Sequence, residues 1–243
     1  MKLLSINADA KTVKGIKKGY LTGILYLAPS NFSGYQVCPQ ASKGCIASCL
    51  GLYAGRANII KKGETTNVIR DSRIAKTRFY FEDRQGFMLQ LVKETQGLIR
   101  KAIREGLIPV VRPNGSQDIA WEHVVFEYQG KQTTLFKLFP DVQWYDYTKV
   151  TKRAIAFAQG KMPSNYHITF SANEDNHSDV DKVLKAKGSV AMVFHTVPKL
   201  HNGALVIDGD ETDLRFDDDL GVIVGLKAKG KAKKDTSGFV RVA

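Results

Sequence analysis

The chain has 243 residues, 43% hydrophobic and 25% charged, enough apolar material for one α/β domain over residues 1–243 with a sizeable core. A formal net charge of +12 fits anionic partners, small molecules or nucleic acid, or a basic surface that is only solvated. Residues 1–10 lack the apolar run of a signal peptide and no segment approaches the roughly 20 apolar residues of a membrane span, which excludes a membrane partner and leaves a cytoplasmic chain with reduced thiols as the expectation.

In chain order, residues 20–28 form the first near-continuous apolar run and read as a strand buried on both faces. A polar, glycine-containing loop over 29–55 follows, then a basic region over 51–84 with a helical pattern. Residues 87–105 carry the clearest helical periodicity, with Phe87, Leu91, Leu98, Ile99 and Ile103 in register and Gly106 as the stop. Further strands are predicted over 107–112, 142–147, 166–170, 189–194, 204–208 and 221–226. Helices are predicted over 118–128, 149–159 and 178–187. The last residues, 226–243, read as a basic tail: a solvated segment, a phosphate-contacting one or a mobile lid.

Strand, helix, strand at this spacing is the signature of βαβ units. The first expectation is a complete or partial (β/α) barrel with a largely parallel sheet; the second is an open doubly wound sheet. In either, ligands bind at the carboxyl ends of the strands. Polar residues gather there: Asn114 and Asp118, Asp146 and Lys149, Ser171 and Glu174, His195, and Asp213 and Arg215. Asp118, Asp146, Lys149, Glu174 and His195 are candidate catalytic groups. Asn114, Ser171, Asp213 and Arg215 are candidate binders of a small or anionic ligand.

The cysteines concentrate the chemistry. Cys38, Cys45 and Cys49 are the whole complement of the chain and follow a Cys-x6-Cys-x3-Cys spacing inside the 29–55 loop. An odd, crowded set in a reducing compartment points to metal chemistry rather than disulfides. Pro39 and Gly44 supply turn chemistry for wrapping a metal–sulfide cube, and loop amides could donate to its sulfurs. Three thiolates on a [4Fe-4S] cluster leave one iron for water, a substrate or a side chain such as His195; a three-iron cluster fits the same count. Zinc prefers paired Cys-x2–4-Cys spacings and lacks a nearby histidine here. Buried or reactive thiols are the remaining alternatives.

The blocks Gly34–Cys49 in sequence, 111–122, 144–149, 165–171, 208–216 and 225–230 resemble a bacteriophage-encoded family, the gene product eighty-eight type, across roughly residues 20–240. That resemblance implies a phage protein working in host cytoplasm. A more distant similarity is to radical S-adenosylmethionine enzymes, whose three-cysteine loop follows the first barrel strand. It implies a barrel and a four-iron cluster whose open site binds that cofactor. The spacing departs from that family's Cys-x3-Cys-x2-Cys, and no glycine-rich cofactor motif follows the second strand.

Other features have two readings. The seven carboxylates of residues 208–219 could bind calcium or magnesium, but lack the EF-hand glycine and terminal glutamate, so a salt-bridged turn is the alternative. Asp146 and Lys149 could form an acid–base pair or an ordinary ion pair. Trp121, Trp144, Tyr145 and Tyr147 could stack a base or only pack. The leading expectation is therefore an iron–sulfur protein doing redox or radical chemistry, with electron transfer or redox sensing as its non-catalytic form. The alternatives are a nucleic-acid-binding protein with a structural metal and a virion or host-interaction protein.

Overall fold

The structure, a computed structural model, describes residues 1–6 and 10–242. In chain order its elements are β1 (Leu4–Ile6), α1 (Ala10–Ile16), β2 (Tyr20–Leu25), α2 (Lys43–Ala47), α3 (Leu50–Tyr53), α4 (Val68–Glu82), α5 (Arg84–Arg104) and β3 (Ile108–Arg112). There follow β4 (Phe126–Tyr128), β5 (Lys131–Thr133), α6 (Leu135–Leu138), β6 (Gln143–Thr148), α7 (Thr151–Ala158), β7 (Tyr166–Ser171) and α8 (Val180–Lys185). The chain ends with β8 (Val190–Phe194), β9 (Leu200–His201), β10 (Ala204–Asp208), β11 (Ile223–Lys227) and β12 (Val240–Arg241).

The main sheet runs β1-β2-β3-β6-β7-β8-β11-β10-β9. From β2 through to β10 along this order every pairing is parallel, with antiparallel β1 and β9 at the two ends. All seven predicted strands are present. The winding explains which face does what. Phe87, Leu91 and Leu98 of α5, Phe136 of α6, Ala154 of α7 and Val183 of α8 join one core cluster with Leu21, Val111, Trp144, Ile168 and Phe170. The crossover helices thus cover a single face, as in a barrel, whereas a doubly wound sheet carries them on both. Among the described residues no pairing joins β1 to β9, so the sheet is mixed α/β and largely parallel without a closed barrel.

Side chains alternate along a strand, so Val110, Tyr145, Tyr147, His167 and Thr169 face the other way. A segment after β10 lies on this second face: Leu214 packs with Val110 and Tyr145, and Phe216 meets the Tyr145 and Tyr20 rings edge-on at 5.5 and 5.3 Å. One end of this face is thereby filled, and the carboxyl-end half is left open.

Two expectations are corrected, and the largely helical reading of residues 51–84 is borne out with breaks. Residues 118–128 are not a helix: Asp118 and Asn114 fasten the loop, Trp121 is buried in a short 3-10 turn, and β4 pairs with β5 through Gln129 and Gly130, both at positive φ (52° and 75°), a two-residue hairpin turn. The helical region 51–84 is broken into α3, a 3-10 turn at Gly55–Asn58 and α4, the last capped by Asn67, whose Oδ1 accepts from the Ile69 and Arg70 amides at 3.0 Å. The basic tail is ordered structure. β7 pairs with β8 only at Val190 and Ala191, and β12 takes up that edge at Val193 and Phe194, satisfying backbone groups left bare where β7 and β8 splay.

Candidate functional site

A cavity of about 680 Å³ opens at the carboxyl ends of the parallel strands, away from α5–α8 and walled in part by residues of α1, α2, α3 and α4. All three cysteines border it. The loop that carries them is held from two sides. Ser42 caps α2, its Oγ accepting from the Cys45 amide at 3.2 Å, and itself donates to Glu174 at 2.6 Å. The other Glu174 oxygen accepts from the Gly44 amide at 2.6 Å. Gly44 has to be glycine, since a β-carbon there would collide with Ser237, Glu174 and Phe239. At the far end, Cys49 stands at the N-cap of α3.

The three thiols are half-buried and not bonded to one another. Backbone amides point at two of them: Ser30 N–H donates to Cys38 Sγ at 3.3 Å, and the Gly51 and Leu52 amides donate to Cys49. Cys38 in turn donates to Ser116 O at 3.6 Å. Burial pushes the Cys38 thiol up to about 12, against the pull of Ser30 and Lys149, and the other two thiols push it the same way. Cys49 is also raised, by burial first and Cys45 next. Such thiols are protonated at neutral pH and are poor nucleophiles, so a positive centre is needed to hold them as thiolates.

Lys149 faces this group. Its Nζ donates to Ser171 Oγ at 3.0 Å. Burial alone would lower its ammonium pKa, but Cys45, Asp118, Cys38 and Cys49 outweigh that and leave it raised. Asp118 fixes the strand end beneath it, accepting from Thr148 Oγ1 (2.8 Å), the Lys149 amide (2.7 Å) and Arg153 Nη1 (2.8 Å). Arg153 also grips Glu122 through two bonds of 2.6 and 2.8 Å.

The expected Asp146–Lys149 pair does not form. Strand alternation turns Asp146 to the helix-covered face, fully buried, where the Asn114 amide and Nδ2 (2.8 Å each) and Tyr166 OH (2.6 Å) donate to it. Burial lifts its carboxyl to about 7, opposed first by the Tyr166 hydrogen bond. Asn114 Oδ1 accepts from the Ile119 amide and Trp121 Nε1 (3.0 and 2.9 Å), so Asn114 and Asp146 together hold the loop after β3.

The opposite wall is cationic. Arg112 Nη1 donates to Asp213 at 2.9 Å while its guanidinium lies over the Tyr147 ring at 4.7 Å; Tyr145 OH donates to the same Asp213 at 3.0 Å. Arg73 lies over the Tyr26 ring at 4.9 Å and donates to Gly51 O beside Cys49. The acidic stretch is the salt-bridged turn: Asp210 pairs with Lys11 and Lys229 at 2.8 Å each, and Asp218 with Arg215 at 3.1 Å. Burial pushes Asp210 up, but the hydrogen bonds from Lys11 and Lys229 prevail and hold it well below the usual carboxylate range.

The cavity thus collects Cys38, Cys45, Cys49, Asn114, Asp118, Lys149, Ser171 and Asp213. Four candidates lie outside its wall. Asp146 and Glu174 position the loops. Arg215 is buried under the cavity, donating to Thr212 O at 2.7 Å. His195 is exposed, its amide donating to Arg241 O at 3.1 Å, so it is not placed to complete a metal site with the thiols. Sequence reading missed Arg73, Tyr26, Arg112 and Phe239 as wall residues, and placed Lys227 and Lys229 near the site only as one option for the basic tail. Arg112 had a signal, since it ends a predicted strand; Tyr26 lay inside the strand predicted over 20–28, although β2 stops at Leu25, and Arg73, on a helix remote in sequence, had none. Among the described residues no group of three or more His, Cys, Asp or Glu side chains is arranged to hold a single metal ion. The thiols border a common space without forming a one-ion ligand set among the described residues.

Fold and site together define a singly wound, largely parallel α/β protein with a thiol-bordered, cation-rich cavity at its strand ends. The chain belongs to the Gene product 88 family, whose model matches residues 1–243. No curated protein and no solved structure matches it significantly. The resemblance to radical S-adenosylmethionine enzymes therefore gains no support from a known fold. Among the described residues no helix is long and apolar enough to cross a membrane.

Proposed function

We propose that the protein is an iron–sulfur protein, with Cys38, Cys45 and Cys49 as ligands of a [4Fe-4S] cluster whose remaining iron faces the cavity. The observation that carries this reading is the meeting of all three thiols of the chain on the wall of one cavity at the strand ends. A cubane spreads its thiolates more widely than a single ion does, so the lack of a one-ion ligand set is compatible with it. Amides donating to Cys38 and Cys49 are the contacts that stabilise cluster thiolates and tune their potential. Lys149 supplies positive charge facing the sulfurs. The open iron would provide redox or radical chemistry; the chain's own residues position the loop (Glu174, Ser42), hold the lysine (Asp118, Ser171) and shape the pocket for a ligand. One-face winding is also what a partial (β/α) barrel requires, and the cavity would be its mouth.

Anaerobic purification and reconstitution, followed by iron and sulfide analysis, tests this. About four irons and four sulfides per chain are expected, with large losses for Cys38→Ala, Cys45→Ala and Cys49→Ala. A chain that takes up neither iron nor sulfide, or that takes zinc stoichiometrically instead, sinks the reading. Paramagnetic resonance with added S-adenosylmethionine then separates its two forms: a changed spectrum marks radical chemistry, an unchanged one electron transfer or sensing.

A further inference from the structure

The cavity wall carries eight Lys and Arg residues against three Asp, and no Glu. Each of those aspartates is already neutralised: Asp118 by Arg153, Asp210 by Lys11 and Lys229, Asp213 by Arg112. Among the described residues Arg73, Lys76 and Lys149, buried or half-buried on the wall, form no ion pair with a carboxylate, although Glu94 and Asp118 act on Lys76 and Lys149 from further off; Lys227, also on the wall, is exposed. Burying cations without a counter-charge is costly. A cluster would relieve little of this, because three thiolates on a dicationic core leave a single negative charge, and Lys149 already faces it.

The two arginines are prepared for an oxyanion. Tyr26 supports the Arg73 guanidinium and Tyr147 that of Arg112, at 4.9 and 4.7 Å. Arg73 spends one donor on Gly51 O. Arg112 spends Nη1 on Asp213, and its Nε is buried with no partner among the described residues. Guanidinium forks held flat against rings, with donors to spare, match the oxygens of carboxylate and phosphate. Tyr26, Tyr147, Val193, Leu226 and Phe239 give the same cavity an apolar lining. Its volume of about 680 Å³ is that of a small-molecule pocket.

We propose that the cavity binds a small organic oxyanion, a phosphate- or carboxylate-bearing molecule, whose anionic group sits between Arg73 and Arg112 beside Tyr26. The inference goes beyond the cluster assignment and stands without it, because the cations face the cavity whether or not iron is present.

Isothermal titration calorimetry on the full chain tests it, with pyrophosphate, citrate and glucose as probes, in aerobic cluster-free protein and again after anaerobic reconstitution. Saturable binding of pyrophosphate or of citrate, and none of glucose, is expected; pyrophosphate alone marks an organic phosphate, citrate alone a carboxylate. Arg73→Gln should weaken binding about tenfold or more, and Lys62→Gln, exposed and off the wall, should leave it unchanged. Lys227→Gln, on the C-terminal wall, gives a second reading of about threefold should Arg73→Gln disturb the cysteine loop. The inference is overturned if neither anion binds at physiological salt, or if Lys62→Gln costs as much as Arg73→Gln. It falls equally if a single-stranded oligonucleotide binds more tightly than either anion and Lys62→Gln weakens it, since the charge then serves a polyanion on the surface. Anion binding in the cluster-free protein and iron uptake are read separately, so failure of one leaves the other standing.

Discussion

The two faces of the sheet come from the same strands and have opposite characters. Trp144, Tyr166, Ile168 and Phe170 of β6 and β7 turn to the helices and vanish into one apolar cluster. Tyr145, Tyr147, His167, Thr169 and Ser171, their immediate neighbours, turn to the cavity and the segment after β10. Several buried polar atoms without partners among the described residues lie on this second face, Arg112 Nε, His167 Nε2, Thr169 Oγ1 and Arg215 Nε, against Trp144 Nε1 and Thr95 Oγ1 on the helix side. The larger apolar core lies on one side and more of the unspent polar capacity on the other. The lesson is that a two-residue alternation, with α5–α8 confined to one face, is enough to separate most of the apolar core from the residues that present chemistry.

Substitutions that strike the two faces differently put this contrast at risk. The largest effect is expected from Phe170→Ala, which removes a fully buried ring from the helix-covered face and should cost about 3–5 kcal/mol in chemical denaturation. A cost near zero would break the contrast at once. An intermediate effect belongs to His167 on the other face. Burial, and next the nearby Arg215, lower its imidazole from the ordinary 6.5 to about 4. The unfolded chain therefore binds a proton that the folded chain refuses, and stability present above pH ~6.5 is lost as pH falls towards ~4, by up to ~3 kcal/mol. Thermal melts across that window should show His167→Leu losing less stability on acidification than the parent chain; parallel pH profiles would remove this group from the account. The smallest effect is expected at Ser171→Ala on the cavity wall: within about 0.5 kcal/mol in global stability. It should instead lower the iron retained after anaerobic gel filtration, by freeing Lys149, and a large stability loss there would blur the distinction between the faces.

The same alternation explains what could be read in advance. Continuous apolar runs such as residues 166–170 and 189–194 announce strands covered on both sides, and the clear period of α5 announces its helix, because both signals are local. Residues 118–128 misled for an equally local reason: Ile119, Trp121, Val124 and Tyr128 imitate a helical period, while the buried Trp121–Asn114 hydrogen bond and the Gln129–Gly130 turn decide otherwise. The C-terminal segment stayed ambiguous because its lysines are soluble anywhere, and what orders it is an edge of β8 that exists only once β7 and β8 have splayed.

For the site, the strand-end rule found the right end of the sheet but not which residues look into it. Asp146 and Lys149, three apart, part company because one lies inside the strand, facing the helices, and the other lies past its end. Glu174 reads as a catalytic acid in sequence and proves to be the anchor of the cysteine loop.

By itself the sequence determined the parallel α/β class, the order of its main strands and helices, and the crowding of every thiol into one loop, since each is written in short-range pattern and spacing. Only the tertiary structure decided that α5–α8 share a face, that Arg73 and Arg112 meet those thiols across a cavity, and that the last strand closes an edge. These depend on contacts between segments far apart in the chain, for which local periodicity carries no information.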